Sequence, residues 1–69
     1  MLSEFIMVTL AGTGMGLQGM EVRIRRKAIV RYNASPSNPD QTIIILWNAD
    51  FPMTVTQSVR EIDNMLGVK

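Results

Sequence analysis

The sequence predicts a small α+β domain: an antiparallel sheet or barrel of four to five strands, followed by one C-terminal helix. Apolar and β-branched stretches recur between residues 5 and 55, separated by turn-forming residues. Residues 58–66 then change to the period of a helix. The chain has 69 residues, so we expect all of these elements to belong to a single domain.

The first two extended regions flank a glycine-rich segment. Phe5–Leu10 reads as a strand that is apolar on both faces. Met20–Asn33 is either one long strand or, as we favour, two shorter strands divided by a turn or bulge at Arg26 and Lys27. As one strand, it would sort its side chains by parity. One side would then carry Val22, Ile24, Ala28, Val30 and Tyr32, and the other Glu21, Arg23, Arg25, Lys27 and Arg31.

The strongest strand prediction follows a surface loop. Residues 33–41 are rich in Pro, Asn, Ser and Asp, which favour turns. Residues 42–47 are apolar on both faces, which indicates a central strand or one covered at an interface. Residues 51–55 alternate as a partner strand. Because Pro52 has no backbone N–H, that strand must start there or lie at an edge.

The helix is predicted from its ends as well as its period. Ser58 and Glu61 have the spacing of a capping box, in which each side chain accepts a hydrogen bond from the other residue's backbone N–H. Apolar residues recur on one face through Val59–Leu66, with Ile62 at its centre. Gly67 is placed to end the helix.

Composition limits how so short a chain is stabilised. It has neither Cys nor His, so we expect no disulfide, no transition-metal site and no cofactor. Domains of this size gain stability from cross-links, metals or association. With the first two excluded and 46% hydrophobic residues, we expect a homo-oligomer.

Location is predicted from what the ends and the apolar runs contain. The first residues lack the positive charge that begins a secretory signal. The longest apolar run, Ile43–Trp47, is far shorter than the roughly 20 residues of a membrane span. We therefore expect a cytoplasmic protein that does not enter the membrane, located in the host cytoplasm if it is phage-encoded.

The residue types do not favour catalysis. No His is present to activate a Ser or Thr, and only Lys27 and Lys69 could act as amine nucleophiles. Glu61 and Asp63 lie two positions apart on a helix and so point in different directions. The sequence predicts a binding protein that is not an enzyme.

Binding is predicted to reside in a basic segment and two aromatic residues. Five of the seven basic residues fall within nine positions, although the net charge is only +1. Such a segment suits an acidic face on a larger protein or, as an alternative, the phosphates of nucleic acid. Aromatic residues usually fill small cores, but an exposed Trp would anchor an interface. The candidate residues are Arg23, Arg25, Arg26, Lys27, Arg31, Tyr32 and Trp47.

A second candidate is the glycine-rich segment after the first strand. It resembles a phosphate-binding loop, but a dinucleotide site needs a helix directly after the loop, and a strand pattern follows here. We interpret it as a flexible hairpin loop that becomes ordered on a partner, with a nucleotide site as the alternative. Its candidate residues are Gly12, Gly14, Gly16 and Gly19.

The second half of the chain resembles the FlbD-type flagellar-operon proteins and similar short phage and bacterial proteins. The shared outline is the strand Thr42-Ile-Ile-Ile-Leu, a polar turn, an alternating strand and the helix start Val55-Thr-Gln-Ser-Val-Arg-Glu-Ile62. This chain has Asn48-Ala49-Asp50 where those proteins usually have Asn-Gly, and its loops are longer. The resemblance implies a regulatory, non-enzymatic role and supplies no catalytic residues.

These observations together predict a small regulatory or inhibitory binding protein of phage or bacterial type that acts as a homo-oligomer on a larger protein. Two other classes stay open. One is a nucleic-acid or nucleotide-binding module that uses residues 23–31, and the other is a structural assembly subunit.

Overall fold

The computed structural model describes residues 4–11 and 19–68 of the chain. Five strands and one α-helix are found in this part, so the α+β class and the C-terminal helix are confirmed. The strands are β1 (Phe5–Thr9), β2 (Glu21–Arg25), β3 (Ile29–Ala34), β4 (Thr42–Leu46) and β5 (Met53–Val55), and the helix is α1 (Val59–Leu66).

The five strands form two antiparallel sheets. Sheet A contains β1 and β2, and sheet B contains β3, β4 and β5 with β4 in the middle. Among the described residues, an isolated β-bridge between Leu10 and Val55 connects the end of β1 to β5. The sheets are not closed into a barrel. Of the two predicted forms, sheet or barrel, the structure therefore has open sheets. The central position of β4 confirms what its two apolar faces predicted.

The end of β1 is tied to the start of the helix by one glutamine. The Gln57 side-chain carbonyl accepts the N–H of Thr9 at 2.9 Å, and its amide nitrogen lies 3.3 Å from the Thr9 hydroxyl oxygen. The buried Thr42 hydroxyl donates to the Gln57 backbone carbonyl at 2.6 Å. Gln57 therefore satisfies polar groups of both sheets where the sheets meet, which prevents unpaired buried donors there.

The core lies between the inner faces of the two sheets and the helix. Side chains at alternate strand positions point into it, as the two-residue period requires. Ile62 of α1 is completely buried against them. Burial of such a side chain contributes about 1.5–3 kcal/mol, so this contact helps to hold the helix on the sheets. The core residues are Ile6, Val8, Ile24, Ile44, Val55 and Ile62.

Both helix ends are capped as the sequence predicts. The Ser58 hydroxyl accepts the N–H of Glu61, and the Glu61 carboxylate accepts the N–H of Ser58, each at 3.2 Å. Gly67 follows the helix with φ of 76°, a conformation that favours glycine. The N–H groups of Gly67 and Val68 donate to the carbonyls of Asn64 and Asp63, which is the Schellman arrangement.

The long-strand alternative for residues 20–33 is wrong. A 3-10 helix at Arg26–Ala28 separates β2 from β3, and the pairing register shifts between Ile29 and Arg31. The parity of the side chains therefore changes across the break. Val30 is 56% exposed, whereas Ile29 packs against the core.

The turn between β4 and β5 also differs from the sequence pattern. β4 ends one residue early, and β5 begins directly after Pro52. Trp47 and Phe51 therefore lie outside the strands, 76% and 82% exposed. The expectation that Trp47 fills the core is wrong, because the turn begins at this residue and carries its side chain away from the sheet.

Candidate functional site

The outer face of sheet A brings apolar and basic side chains together. In the β1–β2 register, Phe5 lies opposite Arg25 and Met7 lies opposite Arg23. Neighbouring side chains on one face of such a pair are close enough to contact each other. We call these four residues the arginine face. All four are exposed, including 40% of Phe5 and 47% of Met7.

Two contacts orient one arginine of this face. The Arg25 guanidinium lies over the Phe5 ring, 5.4 Å from its centroid, in a cation–π arrangement. Its Nη1 also lies 3.3 Å from a carboxylate oxygen of Glu4, and both of these side chains are more than half exposed. An exposed ion pair contributes only about 0–1 kcal/mol, so its main effect is to hold Arg25 across Phe5.

A small pocket opens beside these residues. It has a volume of about 210 Å³ and is lined by Phe5, Ile6, Met7 and Arg23. Phe5, Met7 and Arg23 belong to the arginine face, whereas the Ile6 side chain is buried in the core. This lining suits an apolar side chain that has a carboxylate nearby, because Arg binds carboxylates through paired N–H groups.

Arg26 is engaged by the helix instead. Its guanidinium donates to the carbonyls of Met65 at 3.2 Å and Leu66 at 2.7 Å. The last four carbonyls of a helix lack intrahelical partners, and the Schellman arrangement satisfies those of residues 63 and 64. Arg26 satisfies the other two and places a cation at the negative end of the helix dipole. This contact holds the helix against the 3-10 helix that joins β2 to β3.

Tyr32 is also held by the helix. Its ring packs against the core, and its hydroxyl donates to a carboxylate oxygen of Asp63. This hydrogen bond, helped by burial and by the negative charge of Asp63, raises the pKa of Tyr32 from 10.0 to about 12. We call Arg26 and Tyr32, which both contact α1 through polar groups, the helix clamp.

The remaining predicted residues are distributed over other surfaces. Lys27 is exposed on the 3-10 helix, and Arg31 is exposed on β3 opposite Ile45. Trp47 lies at the β4–β5 turn near Phe51 in sequence. The seven candidates thus do not form one surface, since only Arg23 and Arg25 share the arginine face.

Sequence reasoning missed Phe5 and Met7 as surface residues. Their alternation with Ile6 and Val8 showed that β1 has two apolar faces, but not which face the core would cover. The register with β2 decides this, because it places Arg23 and Arg25 on the same side as Phe5 and Met7. The useful signal would have been a β1–β2 pairing that sets Phe5 and Met7 opposite the arginines, because it assigns both residues to the exposed face.

The glycine-loop prediction falls largely outside the described residues, which exclude Gly12, Gly14 and Gly16. Gly19 is described, and its φ of 85° is one that other residues rarely adopt. The Gly19 N–H donates to the carbonyl of Leu10 at 2.9 Å. Gly19 is therefore a turn residue that leads the chain into β2.

Comparison with protein-family models, with curated proteins and with solved structures finds no match to this chain. Within residues 4–11 and 19–68, no helix has the length and apolarity needed to cross a bilayer. The same residues contain no group of three or more His, Cys, Asp or Glu side chains placed to hold a metal ion. Among the described residues, the arginine face is the candidate binding surface, whereas the helix clamp is a structural contact.

Proposed function

We propose that this protein is a small, non-enzymatic regulatory or inhibitory protein that self-associates and binds a larger protein through the arginine face. The observation that carries the proposal is the exposure of Phe5 and Met7 directly beside Arg23 and Arg25. Aromatic residues, Met and Arg are enriched in protein interfaces, and a few such residues at the centre supply most of the binding energy. The partner we expect presents an apolar side chain flanked by carboxylates.

The arrangement of the basic residues favours a protein partner over nucleic acid. A phosphate-binding strand needs cations that follow the backbone continuously. Here Arg26 is turned toward the helix, Arg25 lies beside Glu4, and Arg31 belongs to the other sheet. Two cations next to exposed apolar side chains fit a protein surface better than a phosphate backbone.

The proposal is tested by capturing the partner protein and then measuring its affinity for wild type and variants. The immobilised protein is exposed to a bacterial lysate, the retained protein is identified by mass spectrometry, and its affinity is measured after purification. The double variant Met7→Ser/Arg23→Ser removes one apolar and one basic side chain from the pocket. We expect it to weaken binding about tenfold or more, as for loss of interface anchors.

The matched control is Val68→Ser/Arg60→Ser. It also removes one apolar and one basic side chain, from exposed positions on and just after α1. It should leave the affinity within about twofold of wild type, because isolated surface changes contribute little. Equal losses in the two variants would contradict the arginine face as the site. Capture of nucleic acid, with an affinity that falls steeply with salt, would contradict the protein-partner reading.

A further inference from the structure

We propose that the free edge of β2 pairs with β2 of a second copy of this chain, antiparallel and with the two-fold axis at Val22. The result is a four-stranded sheet in the order β1, β2, β2, β1. This inference rests on the self-association in the proposed function and supplies its surface and register. It is independent of which larger protein is bound.

The direction of the backbone groups supports this pairing. Hydrogen bonds from Leu10 N–H to the Met20 carbonyl and from Arg26 N–H to the Glu4 carbonyl, both 2.9 Å, lie at the two ends of the β1–β2 ladder. Bonding and outward-facing residues alternate along an antiparallel strand. The even positions of β2 therefore bond to β1, and the N–H and C=O groups of its odd positions point away from it.

Those outward groups make no hydrogen bond to any residue in the described part of the chain. They belong to Glu21, Arg23 and Arg25, whose side chains are all exposed. A row of free donors and acceptors at a sheet edge is a template for another strand. β2 thus has an edge on which an additional strand can bind.

The charges on β2 make a second copy a suitable partner. With the axis at Val22, Glu21 of each copy lies opposite Arg23 of the other, which forms two equivalent ion pairs. Opposite charges at facing positions stabilise a strand pair, and like charges destabilise it. Neither Glu21 nor Arg23 has an ion pair among the described residues, whereas Arg25 is already beside Glu4.

A register shifted to an axis at Arg23 fits less well. It keeps the same backbone directions but places Arg23 opposite Arg23, and it requires Arg25 to leave Glu4 for Glu21 of the other copy. A β2 edge with only cations would repel its own copy, as edge charges commonly do. Glu21 is the residue that makes this edge complementary to itself under two-fold symmetry.

The pairing also extends the proposed binding surface. Both copies of the arginine face would lie on the same side of the four-stranded sheet, because side chains on neighbouring strands keep their faces. A two-fold surface with two pockets would then meet the partner protein. The Arg23 guanidinium has five N–H donors, so it would bind Glu21 of the other copy and also donate to a carboxylate of the partner protein. The dimer would thus present a larger binding surface than one chain does. It could bind one partner molecule across both pockets or one partner molecule at each pocket.

Sedimentation equilibrium from micromolar to millimolar concentration tests the proposal. Wild type should reach twice the 7.7 kDa mass of the chain. Glu21→Arg and Arg23→Glu should each weaken the dimer about tenfold or more, because both ion pairs become repulsive. The double variant Glu21→Arg/Arg23→Glu should return to within a few-fold of wild type. Arg60→Glu, a charge reversal on an exposed helix position, should leave the dimer unchanged.

Amide hydrogen exchange supplies a second readout that does not depend on the variants. Exchange at Arg23, whose N–H is hydrogen-bonded only in the dimer, should slow more steeply with protein concentration than exchange at Val22, whose N–H already bonds to β1. A monomer throughout the range would overturn both the inference and self-association. A dimer that none of the β2 reversals weakens, or that Glu21→Arg/Arg25→Glu restores instead, would overturn this edge or this register alone. None of these outcomes would change the result of the capture assay, which tests binding of the larger partner separately.

Discussion

Arg23 and Arg26 are three positions apart in the same basic run, yet they have different surroundings. Arg23 is exposed on β2 and lines the pocket of the arginine face. Arg26 is half-buried and donates two hydrogen bonds to the end of α1. The difference arises at the 3-10 helix that begins at Arg26, because the strand period ends there and the next side chain turns toward the helix. Arg23 and Arg26 carry the same charge, so the course of the backbone decides that Arg26 bonds to the helix and that Arg23 stays exposed.

The two regions also differ in the energy of their contacts. The Arg26 bonds satisfy two carbonyls at the end of α1, and hydrogen bonds to charged groups contribute about 1.5–3 kcal/mol. The Arg25–Glu4 pair on the arginine face is exposed and contributes about 0–1 kcal/mol. Substitutions should therefore separate the helix clamp, which supports stability, from the arginine face, which we propose supports binding.

The largest expected effect comes from the residue that attaches the helix. Ile62→Asp places a carboxylate in a completely buried site, which should cost about 4 kcal/mol or more and unfold so small a domain. Circular dichroism with urea titration measures this. Ile62→Val is the control and should lose only about 0.5–1.5 kcal/mol. If Ile62→Asp unfolds at the wild-type midpoint, the helix does not pack on the sheets and Arg26 has no helix end to hold.

Tyr32→Phe removes the second contact of the helix clamp. The loss of the hydrogen bond to Asp63 should lower the free energy of unfolding by about 1 kcal/mol at neutral pH. Because the folded protein holds the pKa of Tyr32 at about 12, above the ordinary value of 10.0, the hydroxyl stays protonated longer in the folded state. Its stabilisation is complete below about pH 10 and is lost as the pH rises from about 10 to about 12.

Urea titrations at pH 7 and between pH 10 and 12 check this prediction. The wild-type protein should lose more stability over the alkaline interval than Tyr32→Phe, which has no phenol to ionise. Equal alkaline losses in the two proteins would show that the Tyr32 hydroxyl does not stabilise the fold.

The smallest expected effect on stability belongs to the exposed basic residues. The triple variant Arg23→Ser/Arg25→Ser/Lys27→Ser should change the free energy of unfolding by less than about 1 kcal/mol, because exposed charges contribute little. We expect it to lose most of its affinity for the captured partner, since complementary charge guides and aligns such contacts. A triple variant that unfolds would assign these side chains to stability, and one that binds normally would move the site to another surface, such as Trp47.

The elements with strong local signals were predictable from the sequence. The bounds of α1, its Ser58–Glu61 capping box and the Gly67 ending are all confirmed, because each depends on side chains within one or two turns. The break at Arg26 and Lys27 is confirmed for a similar reason, since a second charged residue interrupts the two-residue period there.

The clamp and the arginine face were less predictable, because both depend on contacts between distant parts of the chain. Arg26 lies 39 positions from Met65, and no local pattern shows which of five cations will reach the helix end. The faces of β1 were ambiguous because both are apolar. Trp47 was expected in the core because aromatic residues usually fill small cores, whereas β4 ends one residue before it and its side chain is exposed.

The most direct test compares Arg26→Ser with Arg23→Ser in parallel urea titrations at pH 7, at a protein concentration at which the wild type and both variants are monomeric. The same substitution is then made at two positions of one basic run. We predict that Arg26→Ser lowers the free energy of unfolding by about 2 kcal/mol, because the last helix carbonyls lose their donors, and that Arg23→Ser changes it by less than about 0.5 kcal/mol. Equal losses, or a larger loss for Arg23→Ser, would contradict the division between the helix clamp and the arginine face.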